Sequence, residues 1–340
     1  MYKQVIFDRK NVLVVGGAGF IGSHLCDELV KTSKVICIDN FITGSERNID
    51  HLLANPNFVF ILHDINESIN LTKISSLQKF KIEFQGIQEV YNLACPTSPY
   101  DFEKNIEATL MANSIGMKNV LDITLGYGSK LVHFSSSVVY GPRRNDNIKI
   151  KEDDIGQVNH LSNRSSYDEG KRFAETMIVN YMHTHKIDAK IIRVFRTYGP
   201  RMKLNDGQLV PDFVVNALDN KDLVVTGDKD FCTSVCYVSD VISASIQLME
   251  TEVNGPVNVG SDVDLNLTTL AQKIIDLTGS KSKVIYSSSI LFFSPLALPD
   301  ITKATQELGW IPVVTLENGL KQTVHDLMAT KGLRNINDSV

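Results

Sequence analysis

The chain has 340 residues, 43% hydrophobic and 21% charged, with a formal net charge of -5. That charge disfavours binding along a nucleic-acid backbone, and no apolar run reaches the ~18–20 residues a bilayer span needs. The five cysteines, Cys26, Cys37, Cys95, Cys232 and Cys236, are odd in number and form no C-x-x-C pair, which argues against a disulfide framework and for free thiols in a reducing, cytoplasmic setting. The opening MYKQVIFDRKN carries charge inside any candidate apolar core, so a secretory signal is not expected. An α/β protein of ordinary composition remains.

In chain order, residues 11–15 (NVLVV) predict a fully buried strand, followed by GGAGFIG and the helical SHLCDELVK. Strands are predicted at 34–38, 57–62, 89–94, 130–135 and 189–194, with helices over 103–125 and 167–185. Near-continuous apolar strands separated by helices predict a doubly wound parallel Rossmann sheet, with ligands at the carboxyl ends of its strands. After residue 195 the elements shorten and Pro and Gly appear, which predicts a smaller C-terminal substrate-binding region. The expected division is 1–195 plus 238–261 for dinucleotide binding, 196–237 plus 262–330 for the substrate, and a polar tail over 331–340.

The first chemical signal is the turn Gly16-Gly17-Ala18-Gly19-Phe20-Ile21-Gly22, between a strand and a helix. Gly16 and Gly19 permit a tight turn and close approach of a pyrophosphate, Gly22 permits close helix–sheet packing, and the helix N-terminus offers free N–H groups. An ordinary βα turn would look similar. Asp39, about twenty residues on at the end of the second strand, adds a carboxylate suited to a ribose diol and hostile to a 2′-phosphate, so NAD is expected over NADP. Asp64 suits the adenine end, or is a strand-end turn residue.

The second signal is Tyr167-Asp168-Glu169-Gly170-Lys171, which places a phenol and an ammonium on one helix face. A nearby cation is expected to lower the phenol's pKa and make Tyr167 a base for a sugar hydroxyl, with Lys171 also placed to hold the nicotinamide ribose. An isolated Y-x-x-x-K also fits a surface helix pair. The third signal is Ser135-Ser136-Ser137 at the end of the fifth strand, where a hydroxyl can share the substrate's proton. The three signals in this order point to hydride-transfer chemistry.

These residues resemble the extended short-chain dehydrogenase/reductase family of sugar-nucleotide epimerases and dehydratases, over about residues 9–330. Within it the chain is most similar to the UDP-glucuronate decarboxylases, through NVLVVGGAGFIGSHL, NLACPTSP, YDEGKRFAET, TYGPRMKLNDG, YVSD and PDI. The resemblance implies Ser136, Tyr167 and Lys171 as catalytic residues. It implies NAD contacts at Gly16, Gly19, Phe20, Ile21, Gly22, Asp39, Asn40, Asp64, Leu93, Tyr167 and Lys171. It also implies a nucleotide-sugar substrate oxidised at C4, NAD kept bound between half-reactions, and a homodimer joined through the helices at 103–125 and 167–185.

The sequence departs from that pattern where substrate should bind. Val138 stands where these decarboxylases and dehydratases usually have Glu, Arg196 where they have Asn, and Thr233 and Ala297 where they have Arg. Val138 cannot carry a proton, so 4-epimerisation or net 4-oxidation of another nucleotide sugar stands beside decarboxylation. Arg196 and Thr197 become the expected substrate-binding residues, with Arg201 or Lys203 near them; Arg196 is equally compatible with a structural ion pair. Arg143 and Arg144 fit a solvated loop pair better than a diphosphate site. Cys95 is expected to be an inert thiol near the cofactor, and His183 and His185 exposed helix residues. A non-catalytic NAD-binding protein is the alternative of another class.

Overall fold

The computed structural model describes residues 8–143, 148–226, 232–287 and 297–337. Arg144 lies outside them. Among the described residues, seven strands form one parallel sheet: β1 (Asn11–Val15), β2 (Lys34–Asp39), β3 (Phe58–Leu62), β4 (Glu89–Asn92), β5 (Lys130–Ser136), β6 (Asp188–Val194) and β7 (Pro256–Val259), in the order 7-6-5-4-1-2-3. The central strands read as unbroken apolar runs because helices cover both faces: all five residues of β1 are buried. Two separate apolar clusters, one on Val12 and Val14 and the other on Leu13 and Val15, fill the two sides. The alternating side chains of one strand thus feed both cores.

The chain returns to the sheet late. Helix Val238–Met249 packs on it and β7 pairs with β6, from Pro256 opposite Ile191 to Val259 opposite Val194. The remaining C-terminal elements are helices Leu209–Leu218, Leu267–Thr278 and Leu316–Asn337, with two-stranded ladders such as Leu223–Thr226 beside Val284–Ser287. Helix Leu316–Asn337 continues into the stretch expected as a polar tail.

The helix expected over 103–125 is interrupted. Helix Ile106–Met111 runs through a π-helical turn, Ala112–Gly116, into helix Met117–Tyr127. At this turn Asn113 Nδ2 donates to Thr109 O (2.8 Å) and to Cys95 Sγ (3.1 Å), and the amide packs against Gly170 of the neighbouring helix. Such turns often occur at functional sites, and this one fixes a side chain beside the loop after β4.

A buried polar network ties β5 to β6. Ser135 Oγ donates to Glu175 Oε1 (2.5 Å), and Arg193 clasps the same carboxylate through Nε (3.0 Å) and Nη2 (2.7 Å). Arg193 Nη1 also donates to Tyr140 Oη (2.8 Å), whose hydroxyl donates to Asn258 Oδ1 (2.7 Å). Both members of the Arg193–Glu175 pair are about 12% exposed, so removing one strands a buried charge. Arg193→Met is expected to destabilise the fold by about 3 kcal/mol, seen as a lower urea midpoint, with partial recovery in Arg193→Met/Glu175→Met. Equal midpoints for wild type and Arg193→Met would contradict a buried pair.

Candidate active site

The carboxyl ends of β1, β2, β4, β5 and β6 open into one cavity of about 750 Å3. All the residues singled out for cofactor and substrate line it: Gly16, Gly19, Phe20, Ile21, Gly22, Asp39, Asn40, Asp64, Leu93, Ser136, Tyr167, Lys171, Arg196 and Thr197.

At the β1 end, Gly16 has φ +81°, and a Cβ there would lie 2.7 Å from the backbone of Ala94; a Cβ at Gly22 would lie 2.2 Å from Gly16 O. Only glycine fits either position without moving backbone. Gly19 caps helix Phe20–Leu29 in extended conformation with no side-chain cap, leaving first-turn N–H groups for an anion. Asp39 is fixed by accepting from Ala18 N (2.9 Å) and Phe41 N (2.8 Å). Burial raises its pKa, and the backbone N–H groups oppose that rise. Asn40 donates to Asp64 Oδ2 (3.1 Å), while Asp64 Oδ1 accepts from Asn66 N (2.9 Å). Asp64 is therefore both a strand-end turn residue and a wall of the cavity. A close-approach turn, an open helix N-terminus and an anchored carboxylate fit a dinucleotide with a free ribose diol.

At the β5 end the three serines separate. Ser135 belongs to the Glu175–Arg193 network, while the Ser136 hydroxyl accepts from Val138 N (3.4 Å) and faces the Tyr167 phenol. Ser137 Oγ is buried in the cavity wall without a protein partner. Helix Ser165–His185 brings Tyr167 and Lys171 to the same wall, and Lys171 Nζ donates to Phe134 O (2.8 Å) at the end of β5. The expected lowering of the phenol by Lys171 is not what this arrangement gives. Burial pushes the Tyr167 pKa up, and the Ser136 hydroxyl and the Arg164 charge only oppose it. Burial also pulls Lys171 below its usual value.

The other side chains raised by the sequence sort clearly. Val138 is buried in the cavity wall, so an apolar group occupies the position where Glu was looked for. Thr233 is buried in a ladder opposite Leu265, and Ala297 packs with Tyr140, Ile150 and Phe195; neither lines the cavity. Arg143 makes a two-pronged ion pair with Asp264 at 3.1 and 2.8 Å. Arg201 and Lys203 line the cavity, and Arg201 Nη2 bonds Asp27 at 2.7 Å. Burial raises the Cys95 pKa, consistent with an unreactive thiol. His183 and His185 are exposed, and no group of three metal-ligating side chains occurs among the described residues.

Arg164 and Phe102 were not singled out from the sequence. Both line the cavity: the Arg164 guanidinium lies 5.5 Å from the Phe102 ring centre, and that ring packs 5.7 Å from Tyr167. The available signal was spacing, since Arg164 precedes Tyr167 by three residues, one helical turn.

Residues 12–260 match the model of the NAD dependent epimerase/dehydratase family. The chain belongs to that family. UDP-glucuronic acid decarboxylase 1 of Xenopus tropicalis is 38% identical over 319 residues, covering 94% of this chain and 72% of that one. UDP-glucuronic acid decarboxylase 6 of Arabidopsis thaliana is 36% identical over 326 residues, covering 95% and 90%. Among solved structures, UDP-glucuronic acid 4-epimerase from Bacillus cereus in complex with NAD has a TM-score of 0.79 at 27% identity, covering 95% of this chain and 98% of that one. UDP-glucose 4-epimerase from Thermotoga maritima, solved with UDP-glucose, has a TM-score of 0.79 at 26% identity, covering 94% and 99%. This family member is an NAD-dependent enzyme with a Rossmann fold, of UDP-glucuronate decarboxylase-like type.

Asp39→Ala is expected to weaken NAD binding about tenfold or more, the worth of a charge-assisted hydrogen bond, and to narrow the preference over NADP. Titration of both nucleotides checks this; an unchanged preference would contradict the role of Asp39.

Proposed function

We propose that the protein oxidises C4 of a nucleotide-linked uronic acid, of the UDP-glucuronate type, and releases carbon dioxide from the resulting 4-keto acid. The observation that carries this reading is the convergence of Ser136, Tyr167 and Lys171 on the cavity that also holds the glycine turn and Asp39. The sequence similarity to UDP-glucuronic acid decarboxylases supports the uronic acid.

Bound NAD would supply the hydride acceptor for C4 and a positive charge beside the phenol. Gly16, Gly19 and Gly22 would cradle its pyrophosphate, with Phe20 and Ile21 at the same turn. Asp39 would accept from the ribose hydroxyls, Asn40 and Asp64 would flank the adenine end, and Leu93 would pack along it. Tyr167 takes the proton of the 4-hydroxyl, while the Ser136 hydroxyl orients that oxygen and shares the proton. Lys171, anchored to Phe134 O, would hold the nicotinamide ribose. Once C4 is a ketone, the C5 carboxylate is that of a β-keto acid. Its C–C bond breaks with the electron pair entering an enolate. Val138 has no proton to give, so C5 is protonated by water; the Tyr167 hydroxyl then returns its proton to the C4 oxygen as C4 regains its hydride, giving the pentose. Arg196 and Thr197 contact the substrate from the end of β6, within the proposed substrate region of 196–237 and 262–330.

The apolar wall at Val138 supports a second outcome at the same site: 4-epimerisation or net 4-oxidation with the carboxylate retained. The helices Ile106–Met111 and Ser165–His185 pack together and expose Ile106, Leu110, Phe173 and Val179, which supports a homodimer formed through this pair. Five free cysteines, and no helix among the described residues long and apolar enough to cross a membrane, suit a cytoplasmic enzyme.

NAD-loaded protein incubated with UDP-glucuronate is expected to release carbon dioxide and a UDP-pentose, detected by mass spectrometry. Tyr167→Phe should lower the rate by about 10²–10⁴ with NAD affinity retained. Because burial raises the phenol's pKa and only phenolate accepts the proton, the wild-type rate should climb as pH rises above neutrality. A product that keeps its carboxylate would select the second outcome, and a fully active Tyr167→Phe would contradict both.

A further inference from the structure

We infer that Arg164 and Arg196 together form a clamp for the carboxylate on C5 of the sugar, and so set the enzyme's preference for an acidic over a neutral nucleotide sugar. The inference deepens the proposed function and rests on its assignment of Tyr167 to the C4 hydroxyl.

Position carries it first. Ser136 pairs with Val194 across the β5–β6 ladder, so Arg196 lies two residues beyond the partner of the serine whose hydroxyl faces Tyr167. Arg164 lies one helical turn before Tyr167, and its guanidinium stacks on Phe102, whose ring packs on the Tyr167 ring. Two guanidinium groups from different elements thus line the same cavity as the phenol, Arg164 close to Tyr167 and Arg196 close enough to Arg164 to feel its charge. C5 is bonded to C4, so a carboxylate on C5 must sit beside the group that addresses the 4-hydroxyl. The diphosphate leaves the sugar from C1, on the far side of the ring.

Charge carries it second. The Arg196 pKa falls to about 10, first through burial and then through repulsion from Arg164, so Arg196 remains cationic at neutral pH. Two cations held in one half-buried wall favour an anion between them, and planar guanidinium groups match a carboxylate with parallel N–H donors. Asp168 lies 3.5 Å from Arg164 and balances part of that charge from the helix side. The positions at which related decarboxylases were expected to carry arginine give no counter-charge to the cavity here, since Thr233 and Ala297 are packed elsewhere. Arg196 after β6 and Arg164 at the start of helix Ser165–His185 supply cationic side chains to the site. With Val138 apolar, they also leave the wall by the phenol without a competing carboxylate at that position.

Calorimetric titration of NAD-loaded protein tests the clamp, in a Tyr167→Phe background so that no turnover occurs. UDP-glucuronate and UDP-glucose are the probes, because they share the nucleotide and diphosphate and differ in the carboxylate. Arg196→Gln and Arg164→Gln should each weaken UDP-glucuronate by about tenfold or more and leave UDP-glucose within about twofold, and Arg196→Lys should recover part of the loss. Unchanged thermal melting shows that each variant is folded. Equal weakening of both ligands would place the guanidinium groups on the diphosphate, and no change with either would make them structural; both results overturn the clamp and leave C4 oxidation standing. Binding of neither ligand by the parent protein would overturn the clamp and the proposed function together.

Discussion

Two ionisable side chains, Tyr167 and Lys171, are buried on one helix face against the end of β5, and burial opposes the charged form of each. The phenol is pushed up and the ammonium is pulled down. Fixed neighbours offset part of that burial: Phe134 O accepts from Lys171, and the Ser136 hydroxyl and the Arg164 charge oppose the rise at Tyr167. In the proposed function the proton moves at the phenol inside this constellation.

The rest of the molecule holds that arrangement in place. Glu175, four residues after Lys171, accepts from Ser135 next to Ser136 and from Arg193 on β6, so one carboxylate locks the helix to both strands that edge the site. The π-helical turn sets Asn113 against Cys95 and Gly170, fixing the opposite wall. At the far end, Asp326 of helix Leu316–Asn337 accepts from Arg201 N, and Asp326 and Thr330 complete the cavity. Elements distant in sequence thus enclose a single chemical volume.

Much of this was legible in the sequence, for identifiable reasons. Strands such as Asn11–Val15 and Lys34–Asp39 stand out because burial on both faces demands unbroken apolar runs. The glycine turn and Asp39 were legible because backbone space and a strand-end carboxylate are local properties. The π-helical turn was not, since it depends on Asn113 meeting Cys95 across 18 residues of chain. The direction of the Tyr167 shift was misjudged because spacing reveals a neighbouring cation but not the depth of burial. Arg164 was passed over because an arginine before a helix is unremarkable until its ring contact with Phe102 is seen. Two-residue ladders such as Cys232–Thr233 with Leu265–Asn266 are too short to leave a pattern.

The central claim is that the C4–H bond of the sugar breaks and re-forms within one turnover. The most direct measurement follows UDP-glucuronate carrying deuterium at C4 through the NAD-loaded enzyme. The account predicts a slower first half-reaction than with the unlabelled sugar and a pentose product that keeps its deuterium at C4. Carbon dioxide released with no isotope effect, and with C4 never oxidised, would contradict it.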